Sequence, residues 1–292
     1  MQQSTSGALL DAVRGVHWHA RSVVHGVFQG GHRSKRVGAS PEFSSYRPYQ
    51  QGDDPAKIDW KLFGRTERVS VRLSHDESSL RTSILVDASA SMAYPEGTLA
   101  KWELAAAVAL GLSAVAYGDH DPIGLAVVDG SGPRVLPPRT RRDTVASILR
   151  ALSETSPGGS TPLAPLLPTL QSSRRIVIVS DFLGDADDLL TRARELVVAG
   201  REIHAVHVVA REELDPRTEG SVVTDPELPS LRRPLDDGDI VEYQKSFAAW
   251  RESLAADWRA AGVSYNLATT EELADRVVRR VAAPIAQASD RA

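Results

Sequence analysis

Ile84-Leu85-Val86-Asp87-Ala88-Ser89-Ala90-Ser91-Met92 is an apolar run that stops on an aspartate and continues into a loop with a serine at every second position. A short apolar run bounded by polar punctuation reads as a buried strand. A strand apolar on both faces belongs in a parallel sheet covered by helices on both sides. The Asp-x-Ser-x-Ser spacing then gathers one carboxylate and two hydroxyls around a single point at the strand's C-terminal edge. All three are hard oxygen ligands of the kind that Mg²⁺ or Mn²⁺ prefers. The competing reading is a Ser-rich strand-to-helix turn capped by its own side chains.

From Leu80 onward the pattern alternates between strands and helices. Strand Ser83–Asp87 leads to an Ala-rich helix over Leu99–Tyr117, closed by Gly118. Strand Ile123–Val128, a short Val135-Leu136 strand and a helix over Arg142–Leu152 follow. The loop Ser156-Pro157-Gly158-Gly159-Ser160-Thr161-Pro162 opens a further short helix. Strand Arg175–Ser180, helix Ala186–Ala199 and strand Glu202–Val209 continue the alternation. Val263–Leu267 is the last strand, and Thr269 with Glu272 reads as a capping box for a helix over Glu271–Val281. The acidic, Pro-containing residues 211–240 interrupt the pattern as a β-loop insertion before a helix over Ile240–Arg259. The fold class is α/β, a mostly parallel sheet with helices on both faces. Three regions follow: residues 1–40, an N-terminal helix (Gly7–Phe28) and a basic connector at Gly30–Arg36; residues 41–79, a β-rich extension; and residues 80–286, the sheet domain.

In open parallel sheets, ligands bind beyond the carboxyl ends of the strands, where the strand order reverses. Three groups of oxygen ligands can reach that edge: Asp87, Ser89 and Ser91; Thr161 in the Gly-Gly-Ser-Thr loop; and Asp181, directly after Ile176-Val177-Ile178-Val179-Ser180. Mg²⁺ takes six oxygens and keeps several waters, so a few hydroxyls and one or two carboxylates suffice. Asp87 and Asp181 balance a divalent charge, and the hydroxyls coordinate without adding to it. An open position on such an ion suits an Asp or Glu carboxylate offered by another protein.

This set resembles the metal-ion-dependent adhesion site of von Willebrand factor A-type domains. The segment Gly38 through Lys61, with Gly64-Arg65-Thr66, Val86 through Met92 and Ser180-Asp181-Phe182-Leu183, resembles the DUF58 family, whose members carry a von Willebrand A-like domain. The similarity runs from about Arg21 to Val281. The resemblance implies a Rossmann-like sheet of von Willebrand factor A type, a Mg²⁺-type site, a protein-binding role and a working relationship with MoxR-type AAA+ ATPases. The chain departs from the family in its acidic, aromatic-free stretch Ala210–Asp239 and in lacking the N-terminal transmembrane helices of many relatives.

Composition narrows the function further. Net charge is −4 over 292 residues, which argues against a nucleic-acid partner. No apolar run approaches the span of a bilayer, and the N-terminus lacks the features of a signal peptide, so a cytoplasmic protein is expected. Cysteine is absent, which removes disulfides, thiolate metal sites and thiol nucleophiles. Walker, nucleophile-elbow, zincin and dinucleotide motifs are missing as well. A non-enzymatic binding module is therefore expected; the alternatives are a Mg²⁺-dependent hydrolase of phosphatase type and a metal-independent scaffold.

Other residues have structural readings. Asp53, Asp54 and Asp59 suit a turn, Trp60 and Phe63 suit a core, and His17, His19 and His25 suit the surface or packing. His204 and His207, an odd number apart on one strand, are expected on opposite faces as hydrogen-bonded core histidines.

Overall fold

The computed structural model of the chain describes residues 3–19, 45–48, 60–66, 68–73, 80–216, 222–224, 232–234 and 237–283. Helix α1, Gln3–Ala12, is shorter than the Gly7–Phe28 helix expected from the apolar stripe of Leu9, Val13, Val16, Ala20, Val23 and Val27 in the sequence. Gly15 lies just beyond its end with φ 77°, a left-handed conformation that costs glycine nothing and stops the helix. Leu9, Val13 and Trp18 are buried all the same, so the apolar side chains keep their role after the helix has ended. Gly30–Arg36 and residues 20–28 fall outside the described residues, as do Asp53, Asp54 and Asp59.

Two compact units make up the chain: residues 23–79, and residues 1–22 together with 80–292. In the smaller, strands β1 (Ser45–Pro48) and β2 (Ser70–Leu73) pair antiparallel, with Tyr46 opposite Arg72. Helix α2 (Trp60–Thr66) lies between them in sequence. Trp60 and Phe63 stand edge to face with centroids 6.2 Å apart, but they are 64% and 36% exposed. Three positions apart on one short helix, they share a face, and that face is at the surface, so neither is the core residue its type suggested.

In the larger unit the elements are β3 (Thr82–Asp87), α3 (Ala100–Gly118), β4 (Ile123–Asp129), β5 (Gly132–Arg139), α4 (Thr144–Glu154), β6 (Arg175–Ser180), α5 (Ala186–Val198) and β7 (Glu202–Val209). Then come α6 (Arg211–Leu214), β8 (Val222–Thr224), β9 (Arg232–Pro234), α7 (Asp237–Ala260), β10 (Ser264–Thr269) and α8 (Ala274–Ala282). Strands β8 and β9 form a small antiparallel pair within the insertion. The six-stranded main sheet runs β10-β7-β6-β3-β4-β5, parallel throughout except at β4–β5. The chain starts in the middle, moves to one edge, returns to the centre and finishes at the other, which is the Rossmann order. With one antiparallel edge strand, this is the Rossmann-like, mostly parallel sheet that the resemblance implied.

Side-chain alternation divides the core between the faces of the sheet. Ile84, Val86, Val177, Val179, Val206 and Val208 pack toward the side of α1, α3, α4 and α8. Leu85, Ile176, Ile178, Ile203 and Ala205 pack toward α5, α7 and the 3₁₀ turns at Ala164–Leu170. Helix α3 is long and apolar enough to cross a membrane by composition, closer to a span than the sequence reading allowed. It is instead the central helix of the first layer, with Trp102, Ala105, Val108, Leu112 and Ala116 all buried. At the far edge, Pro133, Pro137 and Pro138 on β5 remove backbone donors, and with Arg134 and Arg139 they blunt the exposed strand.

Helix α8 begins three residues later than the capping box suggested. Leu273 is its N-cap, and the Glu272 carboxylate is drawn to Arg280 at 2.9 and 3.0 Å. The carboxylate also takes the Thr269 backbone amide, and the Glu272 amide donates to the Thr269 carbonyl at 2.9 Å, so the pairing that reads as a capping box closes a turn ahead of the helix.

Candidate metal centre

The strand order reverses between β3 and β6, and both strands end in side chains that carry oxygen. Asp87 closes β3, Ser180 closes β6, and Asp181 follows at once. Asp87 is buried, and both its oxygens accept hydrogen bonds: Oδ1 from the Ser89 amide at 2.9 Å, and Oδ2 from the Ser180 hydroxyl at 2.6 Å. The first bond folds the chain back after the strand and brings Ser89 and Ser91 beside Asp87. Their hydroxyls, both buried, lie 3.1 Å apart.

Backbone contacts seat the loop that carries Thr161. The Gly158 amide donates to the Ala88 carbonyl (2.8 Å), the Ala90 amide to the Gly159 carbonyl (2.8 Å), and the Gly130 amide to the Gly158 carbonyl (2.7 Å). Gly159 and Gly130 touch backbone to backbone: a Cβ on Gly159 would sit 2.4 Å from the Gly130 Cα, and Gly159 has φ 68°. Only glycine allows that approach. Thr161 donates its hydroxyl proton to the Asp129 carbonyl at 2.8 Å, which leaves the oxygen lone pairs free. Asp87, Ser89, Ser160, Thr161, Ser180 and Asp185 line one cleft, with Phe182 and Leu163 among its apolar walls.

Of the five sequence candidates, Asp87, Ser89 and Thr161 line the cleft; Ser91 is buried behind it against Ser89, and Asp181 is buried next to it. Its Oδ2 accepts a charged bond from Lys101 Nζ at 2.5 Å, and its Oδ1 accepts the Leu183 amide at 3.2 Å. Lys101, on the first turn of α3, is fully buried and also reaches Glu213 Oε1 on α6 at 2.8 Å. Glu213 Oε2 in turn accepts the Ala210 amide at 2.7 Å. Burial lowers the proton affinity of the ammonium, but the two carboxylates outweigh it and the pKa rises. Lys101, Ser180 and Glu213 were not among the site candidates read from the sequence. The one signal was a lysine inside the apolar run Ala100-Lys101-Trp102, because a lysine buried in a core needs a counter-charge.

Electrostatically the site holds more negative charge than it neutralises. Burial raises the Asp87 pKa to about 6, with the nearby Asp181 charge adding to the shift and the Ser180 and Ser89 bonds opposing it. Among Asp87, Asp181, Glu213 and Lys101, ionising Asp87 leaves a surplus of two negative charges. A small divalent cation fits that surplus and the hydroxyl-rich donor set. No three His, Cys, Asp or Glu side chains cluster as a metal site among the described residues, so a metal here depends on the serine and threonine oxygens.

The histidines serve packing. His204 Nε2 lies 2.7 Å from Glu202, and its ring meets Trp18 edge to face. His207 Nδ1 lies 2.5 Å from the Tyr265 hydroxyl, with its ring against Phe182 and Trp250. They sit on opposite faces, as their spacing required. His17 does have a carboxylate, Asp119, at 2.6 Å, which sequence proximity could not reveal.

A family model described as "Protein of unknown function DUF58" matches residues 45–234. The chain belongs to the DUF58 family. Uncharacterized proteins of Mycobacterium tuberculosis and Mycobacterium bovis are 28% identical to this DUF58 protein over 284 residues, which is 94% of this chain and 89% of theirs. Among solved structures, the conserved hypothetical protein BatB from Bacteroides thetaiotaomicron is similar at 18% identity and TM-score 0.42, over 69% of this chain and 96% of BatB. The VWA domain of SpRpn10 is similar at 15% identity and TM-score 0.40, over 72% of this chain and 98% of that domain.

Proposed function

We propose that this DUF58 protein is a non-enzymatic, divalent-metal-dependent protein-binding module of the cytoplasm. Asp87, Ser89, Ser91, Thr161 and Asp181 would hold Mg²⁺ or Mn²⁺, and an Asp or Glu of the partner would complete the shell. When bound, the ion supplies a fixed positive charge with a position open to that carboxylate. The observation that carries the reading is the buried Asp87 carboxylate, destabilised by burial and by Asp181 and surrounded by hydroxyl oxygens at the switch point of the sheet. Both Asp87 oxygens already accept hydrogen bonds, which suits holding a ligand better than attacking a substrate. By family resemblance the partner is, or is delivered by, a MoxR-type AAA+ ATPase.

Titration calorimetry with Mg²⁺ and Mn²⁺ tests the reading. One ion per chain is expected for the wild type. Asp87→Ala should weaken binding by about 100-fold or more, since even outer-shell changes cost metal sites 10- to 100-fold. Equal heats from the two proteins, or none from the wild type, would remove the metal from the function.

A further inference from the structure

The buried Lys101 ammonium stands where the metal reading needs Asp181 to be free. Its Nζ is 2.5 Å from Asp181 Oδ2 and 2.8 Å from Glu213 Oε1, and the side chain has no exposure. We propose that Lys101 is an internal counter-cation of Asp181 that exchanges with the divalent ion, and that Glu213 retains the ammonium when Asp181 turns to the metal. The proposal rests on the metal-binding reading and adds a positioning residue to it.

The two carboxylates are held unequally. Glu213 is fixed through its second oxygen to the Ala210 amide at 2.7 Å, across the first turn of α6. Apart from Lys101, the Asp181 carboxylate is tethered among the described residues by the Leu183 amide alone, at 3.2 Å. When the pair separates, Asp181 is the carboxylate free to swing, and Lys101 keeps a counter-charge without leaving its burial. Lysine suits such an exchange, because an ammonium has three rotatable donors and no fixed fork. Backbone strain flanks both partners: Leu99, two residues before Lys101, has φ 51°, and Phe182, directly after Asp181, has φ 56°. Left-handed backbone at bulky residues is uncommon, and it concentrates where two arrangements are close in energy. The ion pair also joins the candidate centre to α6, the element that opens the 211–240 insertion.

The test is Mg²⁺ titration calorimetry, with thermal unfolding in Mg²⁺ and in EDTA, on the full chain and its K101M, E213Q, D181N and K101M/D181N variants. K101M removes the competitor and is expected to bind about tenfold tighter, within the usual range of coupling between contacting charges. Its melting temperature should also rise more on adding Mg²⁺ than that of the wild type. E213Q leaves Lys101 to Asp181 alone and should bind more weakly, by about tenfold. In the D181N background, K101M should gain nothing, because Lys101 acts through Asp181. Wild-type binding without a gain in K101M would overturn the role of Lys101 and leave the metal reading standing. A gain that persists in D181N would do the same, since it would reflect distant charge alone. No binding by either protein would sink both. If K101M folds only in Mg²⁺, that dependence supports the exchange; if it does not fold at all, unchanged affinity in E213Q overturns it.

Discussion

In urea at neutral pH, Arg175→Met is expected to unfold with a free energy about 3–5 kcal/mol below that of the wild type, the usual cost of breaking a buried ionic cluster from one side. Arg175 is fully buried at the start of β6. Its Nη2 donates to the carbonyls of Trp18 (3.1 Å) and His19 (3.0 Å), and its Nε to Glu202 (3.2 Å). Its guanidinium carbon lies 4.1 Å from the centroid of the Trp18 ring, and Asp121 is 3.9 Å away. Methionine fills most of the volume but takes the donors from two carbonyls and the charge from a carboxylate cluster. Arg175 fastens the segment around Trp18 alongside Asp119, which takes the Trp18 amide at 2.6 Å, and the His204 ring. Amides of residues 16–19 should therefore exchange faster in the variant, by hydrogen-exchange mass spectrometry. Lysine should rescue little, because its point charge cannot serve the carbonyls, Glu202 and the indole face together. A loss under about 1 kcal/mol would show that the clasp contributes little.

Acid should expose His207 in the same way. Burial drives its pKa down to about 3, against the partly compensating charge of Asp181, whereas an unfolded chain titrates it near its ordinary 6.5. Between those values the unfolded state binds the proton and the folded state does not. Stability from neutral His207 is therefore complete above pH 6.5 and drains away as pH falls toward 3. At pH 5 the loss is about 2 kcal/mol, from 1.36 kcal/mol per unit. His207→Gln can still bond the Tyr265 hydroxyl but does not titrate, so its stability should fall about 2 kcal/mol less between pH 7 and pH 5. Asp87 works in the opposite sense. Its pKa is raised to about 6, so the metal-free protein gains stability from that group as pH drops through 6 toward 3.8. Urea titrations of both proteins in EDTA remove this common term, and parallel pH profiles would refute the assignment to His207.

The sheet was legible in the sequence wherever strands are continuously apolar. Arg175–Ser180 and Glu202–Val209 are read to the residue, since central parallel strands buried on both faces leave little room for polar positions. Helix ends were less legible. The stripe of α1 continues through Val13 and Val16, and one left-handed glycine between them outweighs it. At α8 the Thr269–Glu272 pairing forms as read, but it closes a turn, and the helix begins only after Leu273. The candidate centre divides the same way. Asp87, Ser89 and Thr161 reach one cleft, with Ser91 against Ser89, through a local motif and a glycine loop that puts backbone against backbone. The pairing of Asp181 with Lys101 spans 80 residues and that of Lys101 with Glu213 spans 112, and only the folded chain brings them together.

The most direct measurement is the anomalous difference density of crystals soaked in Mn²⁺. A single strong peak is expected within about 2.2 Å of an Asp87 carboxylate oxygen, close to the distance typical of such ions. The Ser89, Ser91 and Thr161 hydroxyls should face it, and Asp181 should have turned from Lys101. Crystals that diffract well, survive the soak and show no Mn²⁺ at Asp87 would contradict a metal-dependent site.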